Sequence, residues 1–262
     1  MPSTPALFLS HGSPMLALEE NEAHRFLKGF GAQLGKPRAI LSVSAHWETQ
    51  IPVVSLAETP ETIHDFGGFP QALFDMRYPA PGSPEVSERA GRLLLEAGFD
   101  VRAHPSRGLD HGSWVPLSLM YPQADVPVAQ LSIQPDESPE HHYRLGQALR
   151  PLRDEGVLIL ASGSLTHNLR ALFSTRREGL IEAPDWVVRF GDWMAEAVAE
   201  QRVDDLLNYR SRAPFAAENH PTDEHLLPLF VALGAGSPGT AGVPVHRSHT
   251  YGVLAMDAYA FS

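Results

Sequence analysis

The sequence contains no cysteine. Disulfide bonds, a zinc site built on thiolates, an iron–sulfur cluster and a cysteine nucleophile are therefore excluded together. Basic residues are also few, because 20 Lys and Arg stand against 31 Asp and Glu and give a formal net charge of -11. Binding to nucleic acid or to an anionic membrane surface depends on clustered Lys and Arg, so we expect neither partner.

Long apolar runs and nucleotide-binding motifs are absent as well. No apolar run approaches the roughly 18 residues of a membrane span, and the segment MPSTPALFLSHGSP lacks the features of a signal peptide. We therefore expect a soluble, cytoplasmic protein. The sequence has no P-loop and no G-x-G-x-x-G fingerprint, and the run Ser162-Gly163-Ser164 lacks the G-x-S-x-G elbow of a serine nucleophile. Nucleotide-dependent chemistry is not expected.

Strand-like and helix-like segments alternate along the chain. Strands are predicted at 7–10, 39–45, 51–56, 100–103, 126–133, 157–161 and 253–256, and helices at 19–34, 83–95, 139–153, 183–208 and 222–233. The Gly- and Pro-rich stretch that begins at Glu58 and the segment SRGLDHGSWVPL are predicted loops. This alternation predicts one α/β domain over residues 1–262, with a mainly parallel central sheet and helices on both faces.

Three of the apolar, strand-like segments lead into a histidine. ALFLS precedes His11, AILSVSA precedes His46, and VLILASGSLT precedes His167. Ligands of open α/β sheets bind beyond the carboxyl ends of the strands, so these histidines should converge there. Neutral imidazole is the commonest metal ligand. A metal site at the carboxyl ends of the strands is therefore the leading hypothesis.

Two further histidines occur together in ENHPTDEHLLPLF. The residues after His220 have the character of a first helical turn, so His225 is predicted on the N-terminal part of a helix. Either histidine could reach a metal. Adjacent residues on a helix point about 100° apart, so Glu224 and His225 are not expected to bind the same ion.

Two loops also carry histidine beside aspartate and glycine. His111 follows Asp110 in DHGSWVPL, a setting compatible with substrate binding. His64 and Asp65 occur in IHDFGGFP, for which a rigid structural loop and a functional loop remain equal alternatives.

Six ordered motifs resemble those of a known family. The motifs are SHGSP, SAHW, TIHDFGGFP with QAL and YPAPGSP after it, DHGSWVPL, ASGSLTHNL and PTDEHLLPL. They resemble, over essentially the whole chain, the DOPA 4,5-dioxygenase branch of the class III extradiol ring-cleavage dioxygenases. The resemblance implies that His11, His46 and His225 are the metal ligands. It further implies that His167 is the acid/base residue and that His111 contacts substrate or oxygen.

The resemblance also implies a cofactor and a reaction. Fe(II) would be the working ion, although three histidines also suit Zn(II), with His167 as an alternative fourth ligand. The substrates would be O2 and a DOPA-like catechol, whose ring opens beside rather than between the two hydroxyl-bearing carbons. Candidates for lining the substrate pocket are Trp47, Phe66, Phe69 and Tyr121.

Two other classes of protein stay open as alternatives. One is a non-enzymatic metal-binding scaffold of the same fold, and the other is a zinc-dependent hydrolase in which bound water is the nucleophile. The presence of His167 and His111 in addition to the three ligands favours an enzyme. The identity of the catechol and the oligomeric state are left open by the sequence.

Overall fold

A buried sheet lies at the centre of the computed structural model, which describes residues 3–178 and 182–262. The strands are β1 (Ala6–Ser10), β2 (Ala39–Glu48), β3 (Val53–Ser55), β4 (Arg102–His104), β5 (Val128–Ile133), β6 (Val157–Gly163), β7 (Val243–His246), β8 (His249–Thr250), β9 (Leu254–Ala255) and β10 (Ala258–Phe261). Every residue of β1 and β6 is buried, as expected for a continuous apolar run in a parallel sheet.

Helices of very different length surround this sheet. They are α1 (Glu22–Leu34), α2 (Gln71–Asp75), α3 (Pro84–Glu96), α4 (His111–Met120), α5 (Pro139–Leu149), α6 (Pro151–Asp154), α7 (Leu169–Glu178), α8 (Asp185–Ala199), α9 (Val203–Leu207), α10 (Tyr209–Arg212), α11 (Ala216–Asn219) and α12 (Leu227–Ala235). A short 3-10 helix covers Pro14–Ala17. Within residues 3–178 and 182–262, no helix combines the length and the apolar character needed to cross a membrane.

The strand order in the main sheet is β4-β3-β5-β2-β6-β1-β10-β7. The four strands β5, β2, β6 and β1 are parallel neighbours at the centre. At one end of the sheet, β10 is antiparallel to β1 and β7 is antiparallel to β10. Towards the other end, β3 is antiparallel to β5. The predicted α/β fold with a mainly parallel central sheet is therefore confirmed.

Helices cover both faces of the sheet, as predicted. Successive residues of a strand point to opposite faces. The hydroxyl of Ser162 on β6 donates to the carbonyl of Gly112 on α4, whereas the next residue, Gly163, lies against the carbonyl of His225, just before α12. The helices α4 and α12 are thus on opposite faces.

The prediction that SRGLDHGSWVPL is a loop is wrong, because α4 begins at His111. Asp110 caps this helix, since its Oδ1 accepts a hydrogen bond from the backbone N–H of Ser113 at 3.2 Å. The helix is packed between α1 and the sheet and is buried on nearly every side. No amphipathic period marks such a helix in the sequence.

The helix predicted at 222–233 begins later than expected, at Leu227. Residues 221–226 form turns, and Pro228 occupies the first turn of α12. His225 therefore lies in the turn before the helix and not on the helix itself.

The boundaries of β2 and β3 also differ from the prediction. Strand β2 continues to Glu48, so His46 is part of the strand and does not lie between two strands. Strand β3 is not at the edge of the sheet, because β4 pairs with its outer side.

The C-terminal third departs most from the sequence prediction. The helix predicted at 183–208 is interrupted, because α8 ends at Ala199 and Gln201 has a positive φ of 56°. Strands β7 and β10 were not predicted. The strand predicted at 253–256 is reduced to β9, which pairs with β8 outside the main sheet.

Candidate active site

Five histidines meet at the carboxyl edge of the parallel strands. His11 directly follows β1, His46 lies near the end of β2, and His167 follows β6. His111 is the first residue of α4, and His225 comes from the turn before α12. The ring centre of His46 is 4.9 Å from those of His11 and His225 and 4.0 Å from that of His111. The structure therefore brings together the five histidines to which the resemblance assigns a role.

Three Nε2 atoms in this cluster are as close as the ligands of one ion. The Nε2 atom of His46 is 3.0 Å from Nε2 of His11 and 3.3 Å from Nε2 of His225. Two nitrogens that each bind a metal at about 2.1 Å stand about 3.0 to 3.4 Å apart at bond angles of about 90° to 109°. The spacing of the nitrogens fits a metal site.

The outer ring nitrogens show which atoms carry lone pairs. The Ser162 hydroxyl donates to the backbone of α4, so it accepts the N–H of His11 Nδ1 at 3.0 Å. His225 Nδ1 donates to Oε1 of Glu224 at 2.8 Å. In a neutral imidazole the other nitrogen then carries the lone pair. The Nε2 lone pairs of His11 and His225 are therefore both directed at Nε2 of His46. Such an arrangement is favourable only when a proton or a cation lies between the nitrogens, so this donor set suits a divalent metal.

Burial keeps these imidazoles neutral. His11 and His225 are 1% and 6% exposed, and burial lowers the pKa of both well below the ordinary value. Burial, together with the nearby ring of His111, lowers the pKa of His46 to about 3. The neutral form is the one that binds a metal ion.

Among residues 3–178 and 182–262, two groups place ligand atoms within 4.8 Å of one another: His11, His46 and His111; and His167, Glu224 and His225. The first group differs from the set implied by the resemblance only in His111. In the second group the Glu224 carboxylate accepts the Nδ1 proton of His225, so it orients this ring instead of sharing an ion with it. Glu224 and His111 thus lie beside the cluster, with His11 and His46 in the first group and His225 in the second.

His167 is held beside the cluster by ring stacking. Its ring lies 3.4 Å from that of His225, and the two planes are 13° from parallel. Because an imidazole nitrogen binds a metal in the plane of its ring, two stacked rings do not direct their lone pairs to one ion. Burial lowers the pKa of His167 to about 4, although the Glu224 carboxylate 3.6 Å away acts in the opposite direction. His167 is therefore neutral at pH 7 and able to accept a proton.

His111 is held by Asp65 from the long Gly- and Pro-rich loop. Oδ1 of Asp65 accepts hydrogen bonds from the backbone N–H of His111 at 3.0 Å and from its Nδ1 at 2.9 Å. Burial would raise the pKa of Asp65, but the hydrogen bonds and the charge of His111 outweigh it and lower the pKa to about 2. Asp65 is thus part of the site, whereas Nε2 of His64 donates to the carbonyl of Met76 at 3.1 Å.

Three other residues singled out by the sequence lie outside the cluster. His220 is fully buried, and its Nε2 donates to the carbonyl of Leu165 at 2.7 Å. Trp47 and Tyr121 are not among the residues that line the cavity, and the Tyr121 hydroxyl donates to the carbonyl of Gly35. The prediction that these two aromatic residues line the pocket is wrong.

Sequence reasoning missed the polar support beneath the histidines. The Ser44 hydroxyl donates to Oδ1 of Asp110 at 2.6 Å. A Cβ atom on Gly112 would overlap the Ser44 hydroxyl and lie 3.0 Å from the ring of His46, so only glycine fits here without a shift. The sequence of β2 does contain a sign of this support, because Ser42, Ser44 and His46 place a polar residue at every second position of a buried strand.

A cavity of about 300 Å³ opens above the cluster. This volume is at the lower end of the range for small-molecule sites, about 300 to 1,000 Å³, and suits a single-ring substrate. Its inner end is formed by His46, His111, His167 and His225. Its remaining walls are mostly apolar and include Phe66 and Phe69, as predicted, together with Leu169, Leu172, Phe173 and Leu254.

The buried histidines predict a loss of stability in mild acid. Burial lowers the pKa of His142, His167 and His220 to about 4 and that of His46 to about 3, and it lowers the pKa of His11 and His225 well below 6.5. The unfolded chain then binds more protons, so the free energy of unfolding is largest above pH 6.5 and falls towards pH 4. Each group contributes up to about 1.4 kcal/mol per pH unit.

Urea unfolding of the metal-free protein at pH 7.5 and pH 5 measures this effect, and we expect a clearly lower midpoint at pH 5. Three carboxyl groups act in the opposite sense, because burial raises the pKa of Asp257 to about 6 and also raises that of Glu48 and Asp110, but they are fewer than the six histidines. Equal midpoints at the two pH values would show that the histidines are not held neutral by the fold.

Comparisons with known proteins agree with the geometry of the site. Residues 5–261 match the family described as the catalytic LigB subunit of aromatic ring-opening dioxygenase. The 4,5-DOPA dioxygenase extradiol of Beta vulgaris is 43% identical over 97% of this chain and 95% of its own length. A protein of the same description from Escherichia coli strain K12 is 44% identical over 88% of this chain and 84% of its own length. The crystal structure of an uncharacterized protein from Escherichia coli K12 superposes with a TM-score of 0.83 and 35% identity, and covers 99% of this chain and 100% of that one.

Proposed function

Because this chain belongs to the family of the catalytic LigB subunit of aromatic ring-opening dioxygenases, we propose that it opens the ring of a catechol related to DOPA, with O2 as the second substrate. The chain is an extradiol ring-cleavage dioxygenase, and residues 1–262 are proposed to form one catalytic domain. One observation carries the assignment of the site. Three imidazole Nε2 atoms converge at the floor of an apolar cavity, with two further histidines beside them.

We assign His11, His46 and His225 as the metal ligands. The 3.0 and 3.3 Å separations of their Nε2 atoms support this set, as do the hydrogen bonds that place lone pairs on His11 and His225. The metal is proposed to be Fe(II), with Zn(II) as an alternative occupant of the same three nitrogens. Fe(II), when bound, supplies the redox-active centre at which catechol and O2 react, whereas Zn(II) has no redox chemistry.

His167 is proposed to accept the proton of a catechol hydroxyl. Its stacking on His225 supports a position beside the ligand set and outside it. Its Nδ1 faces the Glu224 carboxylate, so Nε2 is the atom assigned to the substrate proton. The carboxylate stabilises the imidazolium that results, and a base of this kind typically contributes about 10²- to 10⁴-fold in rate. Histidine then returns the proton as the ring opens.

His111 is proposed to donate a hydrogen bond to the reacting oxygen atoms. Oδ1 of Asp65 accepts the Nδ1 proton of His111 at 2.9 Å and fixes the ring at the inner end of the cavity, where the carboxylate would stabilise a positive charge on the ring. A donor fixed in this way stabilises charge that develops on oxygen during the reaction. The apolar walls of the cavity exclude water and strengthen that interaction.

The products follow from the position of ring cleavage. Both atoms of O2 enter the product, and the carbon–carbon bond next to the diol is broken. The ring carbon outside the diol becomes an aldehyde, and the adjacent hydroxyl-bearing carbon becomes a carboxylate, which gives a muconate-type semialdehyde. No external reductant is consumed.

Oxygen uptake after metal loading tests this proposal. The metal-free protein is loaded anaerobically with Fe(II) or with Zn(II) and then mixed with a catechol and air-saturated buffer. We expect one O2 to be consumed for each catechol with Fe(II), and no uptake above the metal-free control with Zn(II).

Other outcomes point to the alternatives. Catechol that binds the Fe(II) form without oxygen uptake would favour a non-enzymatic metal-binding scaffold. Ester hydrolysis that requires Zn(II), without oxygen uptake in the Fe(II) form, would favour a hydrolase. Either result would contradict the dioxygenase proposal.

A further inference from the structure

His220 lies outside the histidine cluster, and its buried ring makes a single hydrogen bond. Nε2 donates to the carbonyl of Leu165, whereas Nδ1 has no hydrogen-bond partner in the described part of the chain. The rings of Phe190 and Tyr209 lie near it, with ring-centre distances of 5.7 and 6.2 Å. Burial lowers the pKa of His220 to about 4, so the ring is neutral at pH 7 and Nε2 carries its one proton. The polar contribution of this side chain is therefore one donor.

The carbonyl that accepts this hydrogen bond belongs to the segment that carries His167. Residues 164–168 connect β6 to α7, and Leu165 stands two positions before His167. Leu165 and His220 are both fully buried. Among the described residues, His220 provides the only donor to the Leu165 carbonyl. A buried carbonyl that has lost its donor is unfavourable, so the segment is expected to shift when this hydrogen bond is removed.

Two backbone hydrogen bonds join the same segment to residues 219–225, which lead from α11 to α12. The N–H of Ser164 donates to the carbonyl of His225 at 2.8 Å, and the N–H of His167 donates to the carbonyl of Asn219 at 2.9 Å. The bond made by His220 lies between these two along the segment. His167 and His225 thus come from two segments that are joined at three successive points. How closely their rings stack depends on how the segments are held together.

We propose that His220 is a positioning residue for catalysis, which holds the Leu165 carbonyl and thereby keeps the ring of His167 stacked on His225, beside the metal ligands and outside them. The inference rests on the ring-opening function proposed above, in which His167 accepts the substrate proton. The stacked rings are 3.4 Å apart, so a small shift of the segment redirects Nε2 of His167. A displacement of about 1 Å in a catalytic group can lower the rate about 10²-fold.

Two variants of similar size separate the hydrogen bond from the packing of the ring. His220→Gln keeps an N–H donor, whereas His220→Leu fills a similar volume without one. Hydrogen exchange of the metal-free proteins, followed by mass spectrometry, measures how often residues 164–168 open. We expect exchange in this segment to be about tenfold faster in His220→Leu and close to wild type in His220→Gln. Wild-type exchange in His220→Leu would overturn the inference.

Turnover of the Fe(II)-loaded variants measures the catalytic consequence. In His220→Leu we expect kcat with a catechol to fall about 10- to 100-fold, while metal content stays stoichiometric and KM changes little. His220→Gln should recover most of the wild-type kcat. Wild-type kcat in His220→Leu, or an equal loss of kcat in both variants, would contradict a positioning role for the Nε2 donor.

His142 provides a matched control for the loss of a buried histidine. It is also fully buried, and its Nδ1 donates to the carbonyl of Ser138 at 3.0 Å within α5, away from the site. His142→Leu should unfold at a lower temperature and keep wild-type kcat and wild-type exchange in residues 164–168. If the wild-type Fe(II) form consumes no catechol, the proposed function fails, and the exchange experiment still decides whether His220 holds the segment.

Discussion

Alanine at His11 or His46 should abolish stoichiometric metal binding. These two residues belong to one group of ligand atoms that could hold an ion, and their Nε2 atoms are 3.0 Å apart. Loss of a residue that only supports a ligand already weakens metal binding about 10- to 100-fold, so removal of a ligand should cost at least about 100-fold. Metal content after loading with Fe(II) or Zn(II) and gel filtration measures the effect. Turnover should disappear in parallel.

The third ligand can be identified in the same experiment. If His225 completes the set, His225→Ala should lose the metal and His111→Ala should keep it. His142→Ala is a suitable control, because His142 is as buried as His11 but lies on α5, outside the cluster. It should lower stability and retain metal. Normal metal content in both the His11 and the His46 variants would show that the site is assigned to the wrong residues.

Glutamine at His167 should separate metal binding from catalysis. The side chain keeps a similar size and a hydrogen-bonding amide but cannot accept a substrate proton at neutral pH. We expect kcat to fall by about 10² to 10⁴ while metal content stays stoichiometric. Single-turnover oxygen uptake by the Fe(II)-loaded variant measures the loss.

A matched histidine provides the control. His141 has the same side-chain exposure as His167, 18%, and also faces a glutamate, but it lies on α5 away from the cavity. His141→Gln should keep wild-type turnover. Loss of metal in His167→Gln would make His167 a ligand, and wild-type turnover in that variant would remove it from the reaction.

The strand-end histidines could be predicted because their signal is local. The runs that lead to His11, His46 and His167 are continuous and apolar, which is typical of buried parallel strands. The carboxyl ends of parallel strands meet at one edge of the sheet, so the three histidines could be expected there. The positions of α4 and His225 could not be predicted in the same way. α4 is buried nearly all round, so its sequence has no helical period, and the start of α12 is set by Pro228 and by packing on the sheet.

The edges of the sheet could be predicted only in part. Strands were predicted at 51–56 and 100–103, where β3 and β4 lie, although each has only three residues. Strands β7 and β10 have four residues each, and neither has a pattern long enough to separate it from a loop. Asp110 is different, because aspartate is a preferred N-cap residue and here it stands directly before the helix. That signal would have placed His111 on a helix.

Because of the order of the strands, the metal site forms only when the whole sheet has folded. β1 lies between β6 and β10, so the first strand of the chain is inserted between two strands that come much later in the sequence. His46 is 35 residues from His11 and 179 residues from His225 along the chain, and loops of this length must close before the three nitrogens meet. Partly folded or truncated chains therefore lack the donor set. An ion that binds only the finished site stabilises it by about 4 kcal/mol at 1,000 times its Kd, and newly made chains would acquire this stabilisation last of all.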